Sequence, residues 1–382
     1  MSNTEISFIR SNIPKISQVS DGIIEMENSG IYTNYGPINQ KFEKQLVEQM
    51  FNGVGQCVTV CNATIGLMMA LKYATRHTDP RVARYVIMPS FTFAAAAHAV
   101  LWAGFVPLFC DINPDDWMAS HESENELLRQ YGEQVAAIFP YATFGNATDI
   151  IHYTKLEQQA GIPVVIDAAA SLGAHDARGQ GFGTGSPHAI VCSLHATKTM
   201  GIGEGGFIYA NNPDMIEALR AMGNFGFGRL RHATMPGLNS KLPEIGALLA
   251  LSGLDHLERV IEKKCSIEQM YYDLLPGFSF QRQRGTRLPY QFLPVRLPPR
   301  YAPYRNAILE HMKQKRIGTS TYFSPHLYEQ SYFATQCKAG DLHATNALAT
   351  SIVSLPLWHE MTQEMVGYVC QEFRNACHAA DM

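Results

Sequence analysis

Between residues 40 and 240, short apolar runs alternate with helical patterns, and this alternation limits the possible folds more than any other feature. "RYVIMPS" (84–90), "VPLFCDI" (106–112), "QVAAIFPY" (134–141), "PVVIDAA" (163–169), "AIVCSL" (189–194) and "GGFIYAN" (205–211) read as strands. "TIGLMMALKYA" (64–74) and "FTFAAAAHAVLWA" (91–103) read as helices. Strands separated by helices pair mostly in parallel, with the helices covering the sheet faces, so the expected class is α/β. Several strand candidates end in a small or polar residue, and the carboxyl ends of strands form the ligand crevice of an open α/β sheet.

Beyond residue 240 the pattern changes. "EIGALLALSGLDHLERVIEKKCSIEQMYYDLL" (244–275) is one long helical stretch, followed by a strand-like "YQFLPVRL" and two further helical segments, 304–317 and 359–378. A chain of 382 residues is long for one core. The expectation is a large domain over 1–249 and a smaller C-terminal α+β domain over 250–382, with no internal repeat or low-complexity tract.

Composition mainly excludes. A net charge of -4 gives no reason to expect nucleic acid or an acidic membrane surface as partner. The most apolar stretch, "AAAAHAVLWAGFVPLFC" (94–110), is short for a membrane span and carries His98, Gly104 and Pro107, so it reads as a buried helix running into a strand. The N-terminus has no signal-peptide pattern. Eight scattered cysteines, with only Cys57 and Cys61 close together, fit core thiols in a reducing compartment, and no zinc spacing accompanies them. Cytoplasm is the expected location, and no metal is expected.

One lysine calls for a chemical reading. In "SLHATKTMGIGEGG" (193–206) the glycines follow Lys198, whereas a nucleotide-binding loop places them before its lysine. Lys198 is then either a solvated charge or, just past a buried strand, an amine able to shed its proton and attack a carbonyl. Asp167 ends the apolar "PVVIDAAAS", where a carboxylate needs either a cationic partner or a helix to cap. Asn62-Ala63-Thr64 follows the strand-like "CVTVC" and opens a helix, which is either an ordinary cap or an anion site. In "PSFTF", Phe91 or Phe93 is placed to stack on a flat ring or to join the core. The order of these features is the informative part: helix-start anion site, aromatic, Asp, then Lys ahead of Gly-Gly.

In that order the chain resembles the DegT/DnrJ/EryC1/StrS family of nucleotide-sugar aminotransferases. These depend on pyridoxal 5'-phosphate and have the fold-type I, aspartate aminotransferase-like architecture. The likeness is carried by "NYGPINQKFEKQL" (34–46), "NATIGLMMAL" (62–71), "PSFTFAAAAHAVLWAGFVPLFCDIN" (89–113), "VVIDAAASLGA" (164–174), "SLHATKTMGIGEGG" (193–206), "GLNSKLPEIGALLAL" (237–251) and "ATSIVSLPLW" (349–358). The resemblance implies a mostly parallel seven-stranded sheet between helices. It implies that Lys198 holds the cofactor covalently and shuttles the proton, that Asp167 pairs with the ring nitrogen, and that Phe93 stacks on the ring. Ala63, Thr64 and Ser193 would bind the phosphate, and Asn239 would reach the phosphate of a neighbouring subunit, giving a homodimer with shared active sites. Tyr35 and the segment 321–328, especially His326, are the candidates for the sugar pocket.

The activity so implied is transfer of an amino group from L-glutamate to a keto sugar nucleotide. A dTDP- or UDP-linked 4-keto-6-deoxyhexose is favoured over a 3-keto sugar, for surface-polysaccharide or secondary-metabolite synthesis. A cofactor-holding sensor without turnover and another reaction of the same cofactor are the rival readings. Two positions depart from the family pattern. Ala170 stands where many relatives carry a Gln or His near the cofactor's 3-oxygen, with Ser171 as a candidate substitute, and His188 stands where relatives often have Asp.

Overall fold

The computed structural model describes residues 5–228 and 230–380. Seven short segments carry the large sheet: β1 (Gln56–Val60), β2 (Tyr85–Pro89), β3 (Val106–Cys110), β4 (Val135–Ile138), β5 (Val165–Asp167), β6 (Ala189–Ser193) and β7 (Gly206–Ala210). Four more strands follow: β8 (Ser279–Phe280), β9 (Leu293–Arg296), β10 (Lys338–Ala339) and β11 (Ile352–Leu355). Strands β2, β4, β5, β6 and β7 are buried along their whole length, the consequence of helices on both faces, and this is why they read as unbroken apolar runs.

The hydrogen-bonded orders are β1-β7-β6-β5 and β10-β3-β2-β4. Parallel bridges Ile138–Val164 and Tyr141–Asp167 join β4 to β5, so the two ladders form one surface. Neighbours are parallel except β7, which runs against both β1 and β6. The cause is local: residues 194–205 between β6 and β7 hold no helix to carry the chain back for a parallel return, so β7 turns round. The expected mostly parallel seven-stranded sheet is therefore β1–β7, with β10 added at its edge.

The segment 94–110 is a helix, Ala94–Trp102, followed by β3, and among the described residues no helix is long and apolar enough to cross a membrane. The helix expected from residue 91 begins only at Ala94, because Phe91 turns inward and is 0 % exposed, edge-on to Phe144 and Phe323. All eight cysteines are free thiols.

Helix Glu244–Leu274 runs unbroken through the boundary expected at 249/250. Beyond it β8, β9 and β11 form an antiparallel sheet backed by helices Arg305–Gln314 and Gln363–Ala380. The chain crosses that boundary in both directions. Near the N-terminus, Ile6 N–H donates to Arg316 O (3.0 Å) and Gly318 N–H donates to Ile6 O (2.8 Å), while β10 returns to pair with β3.

Candidate active site

The carboxyl ends of β5 and β6 and the start of helix Ala63–Ala74 open into a cavity of about 560 Å³. Asn62, in extended backbone (φ −166°, ψ 162°), caps that helix by accepting Ile65 N–H at 3.0 Å on its Oδ1. The N–H groups of Ala63 and Thr64 belong to the first turn, which has no carbonyl partner inside the helix, and both residues line the cavity. The helix start stands close to the sheet because Gly206 has no side chain: a Cβ there would lie 2.8 Å from Cys192 O and 3.0 Å from Ala63 N. Ser193, paired with Gly206 across β6 and β7, brings its hydroxyl to the same end, where Oγ accepts His195 N–H at 3.1 Å. Backbone donors, a helix dipole and a hydroxyl together fit a phosphate.

Asp167 ends β5 and is 4 % exposed. Its Oδ1 accepts Ala169 N–H at 3.0 Å. Burial pushes its carboxyl up to about 6, against the opposing pull of that hydrogen bond and of nearby Lys198. It is a carboxylate in need of a stronger cationic partner, such as a protonated ring nitrogen.

Lys198 lies in the turn between β6 and β7. That turn is closed by Lys198 N–H to His195 O (2.9 Å), by Ala196 N–H to Gly203 O (2.8 Å), and by Gly203 at φ +105°, a conformation that favours glycine. At Gly201 a Cβ would lie 2.8 Å from Ala196 O, so the glycines behind the lysine let this turn close on itself. Burial lowers the amine to about 8, with Asp167 opposing, so a neutral, nucleophilic amine is accessible near neutral pH.

Gln291 is a site residue that sequence reasoning missed. Lys198 Nζ donates to Gln291 Oε1 at 3.1 Å, and both side chains line the cavity. The segments carrying them are fastened together: Thr199 Oγ1 donates to Pro289 O (2.9 Å), and buried Lys264 donates to Thr199 Oγ1 (3.2 Å) and Tyr290 O (2.6 Å). The signal was present in "YQFLPVRL", one amide inside an apolar run. Gln291 also supplies a polar group on a cavity whose wall at Ala170 is only a methyl. Ser171 does not, since its hydroxyl is buried without a partner and lies outside the lining.

Phe93 rather than Phe91 presents a ring to the cavity; it is 56 % exposed, at the N-cap of its helix. From segment 321–328, Tyr322 and Phe323 line the cavity, the latter stacked on Phe144 at 5.3 Å.

The structure does not bring every expected residue to this place. His326 is 1 % exposed and lies outside the lining: Nδ1 bonds Ser90 Oγ and Nε2 bonds Asn346 Oδ1, both at 2.8 Å. Tyr35 is also buried away from the cavity, its ring 4.8 Å below the Arg220 guanidinium. Asn239 is exposed, bridged to Asn224, and does not line the cavity of its own chain. His188 is explained by packing: Nε2 meets Thr154 Oγ1 (3.0 Å) and Nδ1 meets Glu157 (3.1 Å), which ties helix Ile150–Ala160 to the start of β6.

The chain is similar to known proteins over nearly its whole length. The model of the DegT/DnrJ/EryC1/StrS aminotransferase family matches residues 16–374. A solved structure of a putative PLP-dependent aminotransferase from Bacillus cereus is 36% identical, with a TM-score of 0.91 over 97% of this chain and 100% of its own. The solved structure of DesI with its TDP-sugar product is 26% identical, with a TM-score of 0.88 over 100% of this chain and 95% of its own. The dTDP-4-amino-4,6-dideoxy-D-glucose transaminase of Escherichia coli is 26% identical over 96% of this chain and 97% of its own length.

Proposed function

The chain belongs to the DegT/DnrJ/EryC1/StrS aminotransferase family, whose members depend on pyridoxal 5'-phosphate, and from that premise we propose that it transfers an amino group from L-glutamate to a keto sugar nucleotide. The observation that carries this reading is the convergence of Lys198, Asp167, Ser193 and the start of helix Ala63–Ala74 on one cavity. The sugar part rests on relatives: the Escherichia coli enzyme is named for a dTDP-linked 4-amino sugar, and DesI was solved with a TDP-sugar product. A dTDP- or UDP-linked 4-keto-6-deoxyhexose is the favoured acceptor.

When bound, pyridoxal phosphate supplies an electron-withdrawing ring that stabilises negative charge on the substrate carbon. The protein's residues divide the remaining work. The Ala63 and Thr64 N–H groups and Ser193 Oγ hold the phosphate. Asp167 would face the ring nitrogen and keep it protonated, and that pairing would draw its own carboxyl back down. Lys198 would hold the cofactor covalently, and its Nζ would carry the proton. Gln291 Oε1 accepts from Nζ–H and sets where that amine points. Phe93 offers its ring to the cofactor, and Tyr322 and Phe323 wall the substrate side.

Asn239, exposed and outside its own cavity, suits the reading that it completes the site of a second copy in a homodimer. Eight free thiols suit a reducing cytoplasm.

The test is turnover with glutamate and a panel of dTDP- and UDP-linked 4-keto and 3-keto sugars. Released 2-oxoglutarate is measured, and the product is read by NMR. The expected result is a 4-amino sugar nucleotide. Amination only at C3 would move the reading to the 3-keto class, and a cofactor-loaded protein that turns over none of the panel would overturn it.

A further inference from the structure

Outside the active cavity, buried polar atoms without partners gather around two helix starts. His121 and Glu124 stand one turn apart on helix His121–Tyr131, and His152 stands in the first turn of helix Ile150–Ala160. Their ligand atoms lie within 4.8 Å of one another, the one such group of three or more His, Cys, Asp or Glu among the described residues. Glu124 is 0 % exposed. Its Oε1 accepts the Tyr153 hydroxyl at 2.9 Å, whereas Oε2 has no partner. His152 Nε2 and Thr148 Oγ1 are likewise buried and unpaired. Of the three clustered residues, His121 also borders a small neighbouring cavity of about 10 Å³, together with Thr148 and Tyr153. Each unpaired buried polar atom costs about 1–3 kcal/mol, so the cluster lacks a partner rather than needing none.

We propose that His121, Glu124 and His152 bind one divalent transition-metal ion of the zinc type, with water at the open fourth position. Two imidazoles and a carboxylate are a donor set that zinc accepts in tetrahedral sites. Arg284, a neighbouring cation, is already tied to Asp116, with Nε to Oδ2 at 2.7 Å, and Asp149 Oδ1 accepts His152 N–H at 2.9 Å. The two imidazoles stack at 3.5 Å with 7° between their planes. A nitrogen lone pair lies in its ring plane, so one ring turns off the stack when the ion enters, and both side chains are only part-buried and have that freedom. The ion's work is to fasten helix His121–Tyr131 to helix Ile150–Ala160, not to take part in transamination.

The experiment uses untagged, cofactor-loaded protein stripped with chelator and titrated with Zn2+ or Co2+. Metal per chain is read by mass spectrometry, Co2+ geometry by visible absorption, and thermal midpoint in parallel. One ion per chain, a tetrahedral-type Co2+ spectrum and a midpoint that rises with ion concentration are expected. His152→Ala and Glu124→Gln should each weaken binding at least about tenfold while leaving cofactor loading unchanged. Should Glu124→Gln fail to fold, His152→Ala decides, because its side chain is part-exposed. No uptake would mean that water fills the gap and would overturn the site. Uptake unaffected by the variants would overturn it as well, assigning the ion to thiols such as part-exposed Cys61 and Cys265.

Discussion

Lys198 Nζ and Gln291 Oε1 lie 3.1 Å apart across a sequence separation of 93 residues. The hydrogen bond joins the turn between β6 and β7 to the residue two places before β9, so the Lys198 amine takes its direction from the C-terminal part of the chain.

Replacing Gln291 by Leu keeps the volume and removes the acceptor. One hydrogen bond is worth about 1–1.5 kcal/mol, and kcat should fall about tenfold. KM for the amino donor should change little, and Gln291→Asn should recover part of the rate. A variant with unaltered kcat and an unaltered pH profile would show that Gln291 does not position the lysine.

The Lys198 amine is held near 8, below its ordinary 10.5. Capture of pyridoxal phosphate by the apoenzyme, followed by absorbance, should therefore rise with pH about a midpoint near 8. The folded chain binds fewer protons than the unfolded chain between these two values. The burial cost is thus full below about 8 and fades as pH approaches 10.5. The apoenzyme of Lys198→Ala should accordingly be more stable than wild type at pH 7.5, with a gap that narrows by pH 10 in urea melts. Borohydride should fix cofactor to wild type and none to this variant.

Asp167 shows the opposite sign. Its folded value of about 6 lies above the ordinary 3.8, so the folded chain keeps a proton through that window and loses stability as pH rises across it. Above about 6 the cost is complete. Asp167→Asn should stabilise the apoenzyme at pH 7.5 by on the order of 1–3 kcal/mol, yet cut turnover by about a hundredfold or more. Calorimetry of the apoenzyme and a glutamate half-reaction measure the two effects separately. Near-normal turnover would overturn the proposed pairing of Asp167 with the ring nitrogen.

His326 clasps Ser90, just after β2, to Asn346 on helix His343–Ser351. His326→Ala should lower stability by about 1–3 kcal/mol, because it leaves buried Ser90 unpaired on that side. KM for the sugar nucleotide should hold steady in the variant. A large rise in KM with an unchanged melting temperature would return His326 to the sugar pocket.

Much of the candidate site was legible because it depends on local sequence. Asp167 had to close an apolar strand, Lys198 had to follow another, and Asn62 had to cap the helix whose first N–H groups face the cavity. The two departures from the family pattern became intelligible only in space. His188 has its partners, Thr154 and Glu157, on a helix that ends well before it in the chain. Ser171, adjacent to Ala170, keeps its hydroxyl outside the cavity, while Gln291 brings an amide to the cavity wall from a distant segment, because neighbours along a chain commonly point apart while distant segments converge.

The sequence by itself determined the α/β alternation, the family and the order of the candidate site residues, since periodicity, strand ends and helix caps are properties of a few consecutive residues. Only the tertiary structure decided which polar side chains meet. It withdrew His326 and Tyr35 into the protein, chose Phe93 over Phe91, and set Gln291 on Lys198 through the ties made by Thr199 and Lys264. A side chain's direction depends on how the elements pack, and one residue's shift along a strand or helix turns it to another face.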